Sequence, residues 1–100
     1  MYERKVLLGF IRVHILHHAA VDNGIYGVEL IEELGRHEYK ISPGTLYPIL
    51  HEMNKGGLLN LKNQNVNGKI RKIYKPTKKG LEVLQNLKKF VKELSEEVLS

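Results

Sequence analysis

Residues 42–50 read Ser42-Pro43-Gly44-Thr45-Leu46-Tyr47-Pro48-Ile49-Leu50, and the run they open stops at Gly56-Gly57. A serine followed by proline is an N-cap with proline at the first helical position, where the missing N–H costs nothing. Leu46, Ile49, Leu50 and Met53 then keep the i, i+3, i+4, i+7 spacing of a core face. The opposite stripe follows by geometry: Gly44, Thr45, Tyr47, Pro48, His51 and Lys55. These are small, hydrogen-bonding or basic residues, with a proline where an ordinary surface helix carries Glu or Lys. Pro48 clashes with the carbonyl of Gly44, which predicts a local bend. The stripe is not generic surface.

Outward from this helix, Leu58 to Gln64 and Lys69 to Lys75 bracket Asn67-Gly68, the dipeptide suited to a two-residue type I′ turn. Counting outward from that turn sets Val66 against Lys69, Gln64 against Arg71 and Leu61 against Tyr74. Lys62, Lys69 and Arg71 share the outward face, and Lys72 lies near the tip on the reverse side. Pro76-Thr77 closes the second strand, and Thr77 is the N-cap of a last helix reaching nearly to Ser100. There Leu84, Leu87, Val91, Leu94 and Val98 step by 3, 4, 3, 4, a heptad seam widened by Leu81 and Phe90. Its partner is the first helix, the same helix in a second copy, or both; both is favoured, because two exposed apolar faces on one small chain are a liability. Towards the N-terminus, residues 3–21 form a helix that is apolar on more than one face and wants two partners. Asp22-Asn23-Gly24 supplies a turn. A second helix starts near Tyr26, with Val28, Leu30, Ile31 and Leu34 inward and Glu29, Glu32 and Glu33 outward, and Gly35 is placed to end it in a left-handed cap.

The chain has 100 residues with 42% apolar and 27% charged, room for one modest core in one domain. There is no cysteine, which excludes disulfide frameworks, thiolate metal sites and thiol nucleophiles, and makes a cytoplasmic home the simplest reading. The longest apolar run, residues 6–16, is interrupted by Arg12 and His14 and is too short to cross a bilayer, so no membrane association is expected. The net charge is +5, but it is local: residues 37–79 hold nine basic residues against two acidic, while both flanks are slightly acidic. Such a block fits a polyanion; a merely solvated basic face is the alternative that composition alone leaves open.

Helix, helix, capped helix, basic hairpin, helix is the order of a winged helix-turn-helix, a mostly α fold with a small β-hairpin (α+β). The basic block falls on the reader helix and the wing, as nucleic-acid binding requires. The residues that carry these elements also resemble the PadR-like transcriptional regulators. The likeness rests on Tyr26-Gly27-Val28-Glu29-Leu30, on the 42–50 string above, on Gly57-Leu58, on Gly68, Arg71, Lys72 and Tyr74, and on Pro76-Thr77-Lys78-Lys79-Gly80, so it covers residues 5–80. Two departures stand out: Val28 replaces what is often a second aromatic, and Ile70 and Ile73 make the wing more apolar. The resemblance implies a dimeric DNA-binding repressor, with a winged helix-turn-helix over residues 1–79 and a dimerisation helix over 80–100.

On this reading Lys62, Lys69, Arg71 and Lys72 neutralise phosphates, Ser42 and Tyr47 position the backbone, and Thr45, His51 and Lys55 are available to base edges. Gly44 acts by having no side chain to hold the duplex away. Leu84, Leu87, Phe90, Val91, Leu94 and Val98 make the homodimer seam. The expected ligand is a near-palindromic double-stranded DNA with half-sites about one helical turn apart. A small hydrophobic effector, if any, would bind at the dimer interface. The competing reading is a winged-helix adaptor that binds protein. His14, His17 and His18 stand at a spacing able to hold a metal, but no carboxylate is near in sequence, so helix packing is the reading and no metal or cofactor is expected. Tyr39 and Tyr74 read as core. No phosphate loop, carboxylate pair or nucleophile set points to an enzyme.

Overall fold

A computed structural model describes residues 2–100. The order is α1 (Tyr2–Val21), β1 (Ile25–Tyr26), α2 (Gly27–Arg36), α3 (Pro43–Lys55), β2 (Leu59–Val66), β3 (Lys69–Pro76) and α4 (Lys78–Val98). The sheet is antiparallel with strand order β1-β3-β2. The wing register is the one counted from Asn67-Gly68, including Leu61 opposite Tyr74 and Gln64 opposite Arg71. Sequence reasoning did not anticipate β1, whose two residues pair with Tyr74 and Ile73.

The helix ends show where local signals governed and where they did not. α3 starts at Pro43 after Ser42 and stops in a Schellman motif: Leu58 N–H reaches the Met53 carbonyl and Gly57 takes a φ of +81°. Ser42 holds the N-cap position, but its side chain does not cap the backbone; its Oγ instead lies 3.3 Å from Thr45 Oγ1. The helix is continuous through Pro48, which leaves the Gly44 carbonyl without its i+4 donor. α2 differs from expectation at its end. Gly35 stays helical and Glu38 takes the left-handed position, at φ +67°, with Tyr39 N–H bonded to the Leu34 carbonyl. Leu34, three residues before the cap, is fully buried, so the core fixes where the helix unwinds.

The core is one cluster in which Ile11, Ile15, Leu16 and Ala19 of α1 meet Leu30 and Leu34 of α2, Leu46, Ile49, Leu50 and Met53 of α3, Leu59, Tyr74 and Leu84. Val28, placed inward by its periodicity, is exposed. α4 is stitched to the end of α3: Thr77 Oγ1 donates to the Gly57 carbonyl and accepts from Gly80 N–H, and Lys79 donates to the Gly56 carbonyl. A Cβ on Gly80 would lie 2.1 Å from the Leu58 carbonyl oxygen, so only glycine fits this crossing. Beyond it the heptad seam divides. Leu84 is buried in the chain's own core, on the α1 side that the seam was expected to share, and Leu87 packs beside it. Phe90, Val91, Leu94 and Val98 are exposed, Phe90 at 73% and Val98 at 65%.

Candidate nucleic-acid interface

The stripe opposite the core face of α3 is solvent-facing: Ser42, Gly44, Tyr47, His51 and Lys55 are exposed and Thr45 is half-buried. A Cβ on Gly44 would meet nothing nearer than Ser42 Oγ at 3.7 Å, so the protein's own packing does not demand glycine there. Gly27 is the opposite case. A Cβ on it would lie 2.6 Å from Tyr47 Oη, so the first turn of α2 must lack a side chain for Tyr47 to lie across it.

That contact joins α3 to the first turn of α2. β1 pairs with β3 only at Ile73 and Tyr74, so beyond it Arg71 and Lys72 occupy an edge of β3 that no strand among the described residues covers. Successive residues point to opposite faces of a strand, and the two cations flank this edge. Tyr26, Gly27, Val28, Tyr47, Arg71 and Lys72 together line a cleft of about 320 Å³. The cleft joins the first turn of α2, the reader helix and the wing. Tyr26 braces it: its hydroxyl donates to Gln64 Oε1 at 2.8 Å across the sheet, and the Arg71 guanidinium lies 6.0 Å from its ring centroid, at the outer limit of a cation–π contact. Burial, with Tyr47 next to it, pushes the Tyr74 hydroxyl above its ordinary pKa, which keeps it neutral beneath this face. Lys62, Lys69, Arg71 and Lys72 are all exposed, with Lys62 and Lys69 on the same face of the ribbon as Arg71.

Two supporting residues were missed from sequence. Arg4, at the start of α1, donates to Thr45 Oγ1 at 3.4 Å and adds a cation beside the N-terminus of α3. Arg12 binds Glu52 through Nε at 3.2 Å and Nη2 at 3.0 Å, fixing α1 to the outer side of α3. The Arg12 hydrogen bond, then its charge, hold the Glu52 carboxyl below the usual carboxylate value. Both contacts join residues about forty apart, which no local pattern signals. Tyr26 was recognised as part of a motif, but its brace to Gln64 was not.

The histidines fall differently from their spacing. His17 is exposed, whereas His14, His18 and His37 have ring nitrogens within 4.8 Å of one another. Burial, the largest cause, holds His14 and His18 below the ordinary imidazole value, His14 with help from neighbouring His37. Glu33, half-buried among them, is pushed up by burial but held lower on balance by the hydrogen bond and charge of Arg36 and by the two nearby imidazoles.

A second concave surface runs between α1 and α4, a groove of about 790 Å³ whose apolar walls include Phe10, Val13, Leu84, Val91, Leu94 and Val98. Among the described residues no helix is long and apolar enough to cross a membrane.

Comparison with known proteins agrees with this architecture. The model of the transcriptional regulator PadR-like family matches residues 15–86. The chain is 46% identical over 89 residues to the transcriptional regulator Rv3488 of Mycobacterium tuberculosis, covering 89% of this chain and 82% of that protein. Among solved structures, a PadR-like transcriptional regulator from Bacillus cereus superposes with a TM-score of 0.86 at 32% identity, over 94% of this chain and 92% of that one. A PadR-like transcription factor from Bacteroides fragilis gives 0.81 at 28% identity, over 97% and 94%. With the family model matching residues 15–86 and a relative 46% identical over 89 residues, the chain belongs to the PadR-like family of transcriptional regulators.

Proposed function

We propose that this protein is a sequence-specific DNA-binding repressor that acts as a homodimer on a near-palindromic operator. The observation that carries the reading is the cleft in which Tyr47 of α3 meets Arg71 and Lys72 of the wing. A helix entering the major groove brings its flanks against the phosphate rows, where a tyrosine hydroxyl donates and two cations displace counterions. Lys62 and Lys69 extend that contact along the ribbon, and Ser42 adds a hydroxyl at the helix start. Thr45, His51 and Lys55 are left to the base edges, with Gly44 allowing close approach.

Residues 1–79 are the reading unit and residues 80–100 the dimerisation helix. Phe90, Val91, Leu94 and Val98 stand in solvent in one chain, and the groove beside them is continuous with Phe10 and Val13 of α1. A second copy laying its α4 there supplies the partner a heptad seam needs. Leu84 and Leu87 support that seam from inside the core. A small hydrophobic effector would occupy whatever part of the groove the second copy leaves open. Repression follows from a dimer covering a promoter, in the cytoplasm where the DNA is.

Selection of bound sequences from random duplexes by the purified protein tests this. The expected result is a two-fold symmetric consensus with half-sites about one helical turn apart. Recovery of no enriched sequence overturns the reading and favours a protein-binding adaptor.

A further inference from the structure

Outside the DNA face, one buried polar atom among the described residues, the His18 ring nitrogen in a cluster of imidazoles, has no hydrogen-bond partner. His14 and His18 lie one turn apart on α1, and His37, the C-cap of α2, folds back so that its ring stacks on His14 at a centroid distance of 5.0 Å. His18 Nε2 is buried and makes no hydrogen bond. The nearest carboxylate oxygen, Glu33 Oε1, is 3.9 Å from it and 3.6 Å from His37 Nε2, too far to bond either ring. A buried nitrogen left in this state is costly unless something else satisfies it.

We propose that His14, His18 and His37, completed by Glu33, bind a divalent transition-metal ion of the zinc class. Three imidazoles and a carboxylate, with no thiol and no cluster of oxygens, are a donor set suited to zinc and its neighbours and unsuited to calcium or magnesium. In a tetrahedral zinc centre adjacent donor atoms stand about 3.3 Å apart. The Glu33 oxygen is already near that spacing from two rings, and the three imidazole nitrogens, within 4.8 Å, reach it by side-chain rotation. The outer shell is in place as well: Arg36 holds the other oxygen of Glu33 and so orients the carboxylate. The ion ties the middle of α1 to the end of α2.

The test uses the full chain without a histidine tag, stripped with chelator and titrated with zinc chloride near neutral pH. One zinc per chain is expected, with a visible absorption band of tetrahedral geometry when cobalt(II) replaces zinc. His37→Ala, at an exposed position outside the core cluster, should weaken zinc by about tenfold or more and abolish the cobalt band. Glu33→Gln should weaken it less, and His17→Ala should change nothing. Absence of stoichiometric zinc in the wild type, or zinc binding that survives His37→Ala unchanged, overturns the proposal.

Discussion

At the wing, Tyr26 bonds Gln64, Arg71 approaches the Tyr26 ring and Tyr47 lies across Gly27, so several large or polar groups touch another part of the chain. Along the last turns of α4, by contrast, Phe90, Val91, Leu94 and Val98 are each at least half exposed. The first surface is braced within one chain and carries polar and basic groups. The second is apolar and exposed, the face on which the proposed homodimer rests. The stitch at Thr77–Gly80 joins the start of α4 to the end of α3, between the two.

Breaking that stitch should have the largest effect. Gly80→Ala forces a methyl into the Leu58 carbonyl, and chemical denaturation should show a stability loss of about 3 kcal/mol. Making the apolar surface polar, with Leu94→Glu and Val98→Glu together, should leave the fold intact by circular dichroism. It should give a monomer in sedimentation and cut affinity for a two-half-site duplex by about a hundredfold through lost avidity. Removing charge from the braced surface, with Arg71→Ala and Lys72→Ala, should weaken all duplexes alike. The slope of log K against log salt should shrink by about two. Gly44→Ala sharpens the contrast further: thermal melting should stay the same or rise slightly, because the methyl has room and helix propensity improves, while DNA affinity falls. The smallest effect belongs to acid pH. Because Glu52 has a lowered pKa in the folded chain, the stability it contributes is complete above its ordinary value of 4.5 and disappears as pH falls through the lower folded value. Arg12→Met should flatten that part of a stability–pH curve, slightly, since the pair is exposed.

The parts of this molecule legible in its sequence are those whose signals are local. Ser42-Pro43, Gly56-Gly57, Asn67-Gly68 and Thr77 each fix a chain boundary within a few residues, and the helix, wing register and last helix follow from them. What was not legible depends on residues far apart. β1 is strand only because Ile73 and Tyr74 lie beside it. The end of α2 passed over Gly35 to Glu38 because Leu34 had to stay in the core. Leu84 fits the heptad as well as Leu94 does, and only the packing of α1 separates core from surface. In the site, the stripe of α3 and the cations of the wing were readable one by one. The brace from Tyr26 to Gln64, the reach of Arg4 to Thr45, and the replacement of His17 by His37 beside His14 were not, since each joins elements that meet only after folding.

The central claim is that the outer stripe of α3 and the basic wing form one surface for DNA. Its most direct test is the affinity of the wild-type protein for a labelled duplex carrying the selected site, measured at 50 mM and 200 mM salt. The account predicts tight binding that falls steeply, by about a hundredfold or more, as several phosphate contacts exchange for counterions. Equal affinity at the two salt concentrations, or no binding at either, would contradict it.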